Sequence, residues 1–179
     1  MYFCSEKILI TMVSVVDIAS YISDRYMKEY GERIDEMKLH KLLYLTQREC
    51  LIQIGEPMFN ATFHAWKYGP VLPEIRQLYK KNALSGSLSK EDETKYVGVL
   101  DYVFREFAGK RPFVLSNLTH CDYSWMHARE GFGKYEDSDV PMLLEDIRKD
   151  ADYFRQRRRM LKILDKSGIN KDKTLVYVV

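Results

Sequence analysis

The chain has 179 residues, a length typical of one domain, and 46% hydrophobic residues are enough to build a core. It carries 28 Lys and Arg against 26 Asp and Glu, a formal net charge of +2. That balance excludes a global basic field able to hold nucleic acid by charge alone. The apolar stretches are interrupted by polar residues and fall short of the ~20 residues that a membrane-spanning helix needs.

The cysteines and the N-terminal segment indicate the cellular compartment in which the protein is expected. Cys4, Cys50 and Cys121 cannot all pair within one chain and form no Cys-x-x-Cys arrangement. This favours a reducing cytoplasm, and no secretory signal is expected. Met12 stands just before the first amphipathic segment, so we expect residues 1–12 to be an N-terminal extension.

The first half of the chain predicts two helices and a strand. The first helix is predicted at 17–30, ended by Gly31, and the second at 36–54 with Asp35 as its N-cap. The short aromatic segment 61–66 is typical of a strand, and the following Tyr-Gly-Pro of a turn.

The second half predicts four more helices, at 71–81, from Ser89 to Gly109, at 112–121 and from Pro141 to before Gly168. Between the last two we expect a turn-rich connection with one helical turn at 125–129. The β-branched end, 174–179, favours a terminal strand. The predicted fold is therefore mainly α, a compact bundle of about six helices with one or two short strands.

Polar side chains follow one flank of the second predicted helix. His40, Tyr44 and Gln47 are spaced i, i+4 and i+7, and Lys38 and Lys41 add positive charge on other faces. This pattern is compatible with a polar site for an acidic partner. It is equally compatible with half-buried structural residues and a solvated lysine face.

Two other groups of residues suggest chemistry more weakly. His120, Cys121 and His127 include zinc-ligand types, but no fourth ligand comes at a recognised interval, so we assign no metal, no cofactor and no nucleophile. The basic run from Arg155 to Lys166 is the basis for an alternative as a DNA-binding autoregulator. Acidic residues one or two turns earlier favour an ion-paired helix instead.

Three consecutive segments together resemble a known family. They are KLHKLLYLTQ at 38–47, GEPMF at 55–59 and FHAWKYGPV at 63–71, and in this order they are similar to the SocA-like antitoxin family, or Panacea domain. Downstream, LSNLTH at 115–120 with Trp125 and Ala128-Arg129, and the segment 147–154 of the last predicted helix, resemble its later parts. The resemblance thus covers 13–154, which leaves 155–179 as a basic helix continuation and tail.

This resemblance implies a small cytoplasmic, prokaryotic or phage-associated protein without enzymatic activity. It implies an antitoxin of a toxin–antitoxin system, which neutralises a toxin from an adjacent gene by direct protein–protein binding. The alternatives are an adaptor that delivers the toxin to a protease and, without the family, a small cytoplasmic enzyme. No membrane or nucleic-acid partner is expected.

The aromatic corner before the third predicted helix completes the expected site. We expect Trp66 to fill the core, with Lys67 and Tyr68 exposed beside it, while the alternative is a binding corner that includes Trp66. The predicted partner-binding residues are Lys38, His40, Lys41, Tyr44, Gln47, Lys67, Tyr68 and Arg129.

Overall fold

A computed structural model describes residues 12–166 of the chain. Within that range the protein is mainly α, as predicted, with seven α-helices and one two-stranded antiparallel sheet. The elements are α1 (Val15–Tyr30), α2 (Glu36–Gln53), β1 (His64–Trp66), β2 (Gly69–Val71), α3 (Pro73–Lys80), α4 (Lys90–Val103), α5 (Pro112–His120), α6 (Tyr123–Ala128) and α7 (Leu144–Lys166). A π-helical segment, Phe104–Ala108, extends α4. The additional helix, α6, lies where one helical turn was predicted.

Local capping explains where the first two helices begin and end. The Ser14 hydroxyl accepts from the Val16 amide at the start of α1, and Gly31 ends it with φ of 72°. That left-handed conformation suits glycine because it has no Cβ. The Asp35 carboxylate accepts from the Lys38 amide at 3.0 Å and caps α2. These ends match those predicted from the sequence within two residues.

Helix α2 is the centre of the molecule. Helices α1, α4, α5 and α7 and strand β2 all pack against it, so that every residue from Lys38 to Ile52 is buried. The expectation that Lys38 and Lys41 lie on an exposed face is therefore wrong. Amphipathic spacing assigns one face of a helix to solvent, but a helix surrounded on all sides has no such face.

Strands β1 and β2 form a tight hairpin, and its turn runs from Trp66 through Lys67 and Tyr68 to Gly69. The prediction that Val71 begins the third helix is wrong, since β2 includes Val71 and α3 starts at Pro73. Pro70 is tolerated opposite Ala65 because the Ala65 amide points away from β2, donating to Val140 at 2.8 Å. The missing N–H of Pro70 therefore costs no ladder hydrogen bond.

Three predictions fall outside the described residues: the N-terminal extension, the end of the last helix before Gly168 and the terminal strand at 174–179. The last helix starts at Leu144, three residues after the predicted Pro141. None of the helices within 12–166 is long and apolar enough to cross a membrane.

Candidate functional site

An open cavity of about 740 Å³ lies between the N-terminal part of α2, the β1–β2 hairpin, the start of α3 and the segment before α7. We call it the hairpin cleft. Its lining mixes aromatic, apolar and charged side chains, and consists of Asp35, Glu36, Met37, His40, Lys41, Trp66, Lys67, Tyr68, Val71, Arg76, Asp137, Ser138 and Asp139.

Trp66 forms a wall of the cleft. Its indole Nε1 donates to the Asp139 carboxylate at 2.7 Å, and the guanidinium of Arg76 lies 4.6 Å from the ring centroid. The side chain is half-buried, so the expectation that Trp66 fills the core is wrong. The core position is taken by Trp125, whose side chain is buried and whose Nε1 donates to the Trp66 carbonyl at 3.0 Å.

The tip of the hairpin is held rigidly while its side chains point outward. The Ser116 hydroxyl donates to the Tyr68 carbonyl at 2.7 Å, and Gly69 adopts φ of 99° to close the turn. Tyr68 nevertheless remains 49% exposed. Lys67, which we expected to be exposed, is half-buried because it pairs with Asp137 at 2.9 Å. An exposed aromatic side chain on a fixed backbone is typical of a binding anchor.

His40 and Lys41 form the floor of the cleft. The Leu72 amide donates to His40 Nδ1 at 3.3 Å, whereas His40 Nε2 has no hydrogen-bond partner. Burial and the nearby positive charges of Lys41 and Arg76 lower the pKa of His40 to about 3, so the imidazole is neutral.

The amine of Lys41 is held against the hairpin. It donates to the Pro70 carbonyl at 2.9 Å, and burial lowers the pKa of Lys41 to about 7. A Cβ on Gly69 would lie 2.6 Å from Lys41 Cε, so the hairpin can approach the lysine stem only with glycine there.

The carboxylates around the cleft already have partners. Glu36 pairs with Arg76 at 3.3 Å, and Asp35 caps α2. Asp139 accepts from Trp66 and from His64 Nδ1 at 2.8 Å, and these hydrogen bonds lower the pKa of the Asp139 carboxyl.

Arg129 supports the cleft from behind. Its guanidinium donates to the carbonyls of Gly133 at 2.9 Å and Glu136 at 2.7 Å and to the Ser138 hydroxyl at 2.9 Å. It also donates to the Ala65 carbonyl at 3.3 Å, which ties the loop before α7 to β1. Arg129 therefore positions the segment that carries Asp137 and Asp139, and does not itself line the cleft.

The other three predicted site residues make internal contacts. Lys38 donates to the Tyr26 hydroxyl at 2.7 Å and to the Ala108 carbonyl at 3.1 Å. Gln47 bridges the backbone of the segment after α2, donating to the Phe59 carbonyl at 2.9 Å. Of the eight predicted residues, the structure thus brings His40, Lys41, Lys67 and Tyr68 together around the cleft.

Tyr44 belongs to a second polar cluster at the other half of α2. Its hydroxyl donates to Asp122 at 2.7 Å, and Arg48 contacts the same carboxylate at 2.6 and 2.8 Å. Ser124 adjoins Tyr44 at 2.9 Å, and its amide donates to Asp150 at 3.0 Å. Burial and the neighbouring Asp122 raise the pKa of Asp150. We call Tyr44, Arg48, Asp122, Ser124 and Asp150 the Asp122 network.

The remaining candidates are dispersed. His120 stacks on Trp125 with ring centroids 3.9 Å apart, while His127 binds Asp146 at 2.7 Å. No group of His, Cys, Asp or Glu side chains within 12–166 is arranged to hold a metal ion.

In the basic run of α7, Arg155 pairs with an acidic residue one turn earlier on the same helix, as predicted, whereas Arg158 pairs with α2 instead. Arg155 binds Asp152 at 2.5 Å and the Ile52 carbonyl at 3.0 Å, and Arg158 binds Glu49 at 2.7 and 2.8 Å. These contacts attach α7 to the C-terminal end of α2 and occupy two of the cations that the DNA-binding alternative requires.

Sequence reasoning missed Arg76, Asp137 and Asp139 as cleft residues. For Arg76 a signal exists, because it lies in the helix that directly follows the aromatic hairpin. For the two aspartates there is none, since they reach the cleft through a loop whose path depends on Arg129.

Comparison with known proteins agrees with the sequence motifs. Residues 39–126 match the model of the family described as Antitoxin SocA-like, Panacea domain. A 49-residue segment is 39% identical to Antitoxin SocA of Caulobacter vibrioides, covering 27% of this chain and 26% of that protein. The chain therefore aligns with about a quarter of the length of this curated relative. No solved structure matches. The two matches support the assignment of residues 39–126 to the SocA-like antitoxin family, Panacea domain.

Proposed function

We propose that this protein is an antitoxin that neutralises a toxin protein by binding it directly at the hairpin cleft. The observation that carries the proposal is an open cleft beside a rigid aromatic hairpin, formed mostly from the residues that match the antitoxin family. We further propose that the toxin is encoded by the adjacent gene and that both proteins are cytoplasmic.

The geometry of the hairpin tip supports a binding role. Tyr68 presents an aromatic ring to solvent, while its carbonyl is fixed by Ser116 and the Trp66 carbonyl by Trp125. A partner that packs on this tip loses little conformational entropy on the antitoxin side. Tyrosine and tryptophan are also enriched among residues whose truncation weakens protein interfaces most.

The proposal contains no catalytic step. Its support is the family match, together with the engagement of Glu36, Asp137 and Asp139 in pairs within the cleft. A hydrolase or transferase built here would use such carboxylates as acids or bases, and a general base must reach the proton that it takes.

Growth rescue with a matched pair of tyrosine variants tests the proposal. Three proteins are each co-expressed with the neighbouring gene: the unaltered protein, the Tyr153→Ala variant and the Tyr68→Ala variant. Tyr153 is 60% exposed and does not line the cleft, so its variant is the control. We expect the first two to rescue growth. We expect Tyr68→Ala to bind the toxin about 30-fold more weakly, equivalent to ~2 kcal/mol, and to lose rescue.

The same strains separate direct binding from delivery to a protease. Direct neutralisation predicts that the toxin accumulates and co-elutes with the antitoxin on size-exclusion chromatography. Toxin that disappears, and reappears when cellular proteases are removed, would support the adaptor alternative. A neighbouring gene that is harmless when expressed alone would overturn the proposal for this locus.

A further inference from the structure

The floor of the hairpin cleft contains a hydrogen-bond donor that nothing uses. His40 Nδ1 accepts from the Leu72 amide, which leaves the proton of the neutral imidazole on Nε2. That nitrogen is buried and has no partner, while the side chain, 2% exposed, lines the cleft. Buried donors in native proteins are nearly always paired, so this one requires an explanation.

Lys41 adds unused donor capacity at the same place. A lysine nitrogen has three N–H donors when charged and two when neutral, and the structure gives that of Lys41 one acceptor, the Pro70 carbonyl at 2.9 Å. The lysine stem is confined by Gly69, so the amine is fixed at the floor. The charges that act on His40 are those of Lys41 and Arg76, and both are positive.

The acceptors of the cleft, in contrast, are committed. Glu36 is paired with Arg76, Asp137 with Lys67, and Asp139 with Trp66 and His64. The cleft therefore lacks an acceptor for its floor and has no unpaired carboxylate on its rim to supply one. The complementary group is a hydrogen-bond acceptor that enters from outside, and beside a lysine an anionic acceptor forms the stronger hydrogen bonds.

We infer that the hairpin cleft receives a carboxylate from an acidic side chain of the toxin, which accepts hydrogen bonds from His40 Nε2 and Lys41. The inference rests on the proposed function and names the chemistry that the partner brings to this site. A cavity of about 740 Å³ is large enough for an acidic side chain with its flanking backbone. Trp66 and Val71 contact its methylene groups, and the carboxylate reaches the floor.

The charge of the lining favours a carboxylate over a phosphate. Four aspartate and glutamate side chains line the cleft alongside Lys41, Lys67 and Arg76. The lining therefore has no excess positive charge to balance a dianion, whereas a single negative charge needs only one cation, which Lys41 supplies at the floor when an anion binds. An incoming anion also offsets the desolvation that disfavours the charged form of Lys41.

The first test uses small probes on the unaltered full-length protein. N-acetylglutamate methylamide, its neutral isostere N-acetylglutamine methylamide and inorganic phosphate are titrated while the imidazole signals of His40 are followed by NMR. We expect the acid to shift the Nε2 resonance and to bind at least about tenfold more tightly than the amide. Equal binding of acid and amide would overturn the inference, and so would tighter binding of phosphate.

The second test compares two variants that each lose one lysine amine. Lys41→Met removes the amine but keeps the stem against Gly69, and Lys95→Met removes an exposed charge on α4, outside the cleft. We expect the acid to lose its preference over the amide in Lys41→Met alone. Binding unchanged in a folded Lys41→Met protein would overturn the inference. If that variant does not fold, the comparison of acid with amide on the unaltered chain still decides it.

Growth rescue separates failure of this inference from failure of the proposed function. We expect Lys41→Met to lose neutralisation of the toxin from the neighbouring gene, and Lys95→Met to retain it. Full rescue by Lys41→Met with loss in Tyr68→Ala would overturn the carboxylate and leave the antitoxin function standing. A harmless neighbour would remove the proposed function, and the probe titration would then decide the chemistry of the site by itself.

Discussion

The two halves of α2 bury polar side chains in different ways. Towards its C-terminal end, Arg48 and Asp122 neutralise each other at 2.6 Å, and Tyr44 donates to the same carboxylate. Towards its N-terminal end, His40 and Lys41 are just as buried, but His40 Nε2 is unpaired and an open cavity adjoins them. Arg48 Nε is also unpaired, yet Arg48 does not line the cleft.

This difference teaches how to separate scaffold from site in a helix that is buried throughout. Burial alone does not discriminate, because both halves carry charged residues that are hardly exposed. Unused hydrogen-bonding capacity next to open space does discriminate: Thr46 Oγ1 and Arg48 Nε are also unpaired, but neither residue lines the cleft. The comparison predicts large stability effects at one end and effects on pH dependence and binding at the other.

The largest expected effect is at the Asp122 network. Asp122→Ala leaves the guanidinium of Arg48 buried without its counter-ion, and we expect the free energy of unfolding to fall by about 3–5 kcal/mol. Urea denaturation followed by circular dichroism measures it. The control is Asp152→Ala, an exposed aspartate paired with Arg155, for which we expect little change.

A double variant sharpens the same prediction. Arg48→Met combined with Asp122→Ala removes both charges, so the loss of stability should be smaller than the sum of the two single losses. Additive losses would show that Arg48 and Asp122 act independently. The network would then be a weaker part of the scaffold than its distances indicate.

The next effect is a pH dependence that Lys41 introduces. Burial lowers the pKa of Lys41 from 10.5 to about 7, so between these values the unfolded chain binds a proton that the folded chain does not. Stability should therefore rise with pH from about 7, by up to ~1.4 kcal/mol per pH unit. Unfolding free energies at pH 7, 8 and 9 measure this slope.

If Lys41 causes this pH dependence of the unfolding free energy, a variant without the lysine should lose it. Lys41→Met should unfold with a flatter pH dependence, and Lys95→Met should keep the slope of the unaltered protein. Above pH 9 the Cys50 thiol opposes the trend, because burial raises the pKa of Cys50 to about 12 and the unfolded thiol ionises first. Identical slopes for Lys41→Met and the unaltered protein would place a full positive charge at the floor of the cleft.

A smaller effect is expected at Arg129, which ties the loop before α7 to β1. Arg129→Gln loses most of the donors that hold Gly133, Glu136 and Ser138, and we expect a cost of about 1–3 kcal/mol. Amide hydrogen exchange should accelerate in the segment 130–139 and stay unchanged in α4. Uniform acceleration across the chain would instead indicate global destabilisation.

Much of the fold follows from local sequence signals. Asp35 before an apolar stripe, Gly31 after one, and Ser89 three residues before Asp92 each predict a helix end that the structure contains. The β2 strand was missed because Gly69-Pro70 is typical of a turn. A proline is acceptable there because Pro70 lies opposite Ala65 at a position without ladder hydrogen bonds, which depends on the register of the two strands.

The site was predictable only in part, for a physical reason. Tyr68 and Lys67 were expected at the surface, since an aromatic residue before Gly-Pro lies on a turn. The burial of Lys38 could not be predicted, because helical spacing describes one helix and not the elements that pack against it. Its ammonium group is satisfied by Tyr26 and by the Ala108 carbonyl, contacts that only tertiary structure brings together.

The smallest effect on stability is expected at the rim of the cleft. Lys67 pairs with Asp137, whose side chain is 84% exposed, and such pairs contribute little to stability because water and salt screen them. Lys67→Met should therefore melt at the same temperature as the unaltered protein.

The effect of Lys67 on toxin binding should be kinetic. Rim charges act mainly on the rate of encounter, so association with the toxin should slow by a few-fold at low salt while dissociation is unchanged. Tyr68→Ala should show the reverse, since a packed aromatic anchor acts on dissociation. Surface plasmon resonance at two salt concentrations separates these rates. A marked fall in the melting temperature of Lys67→Met would mean that the hairpin tip belongs to the scaffold, and the contrast between the two halves of α2 would then not extend to the rim of the cleft.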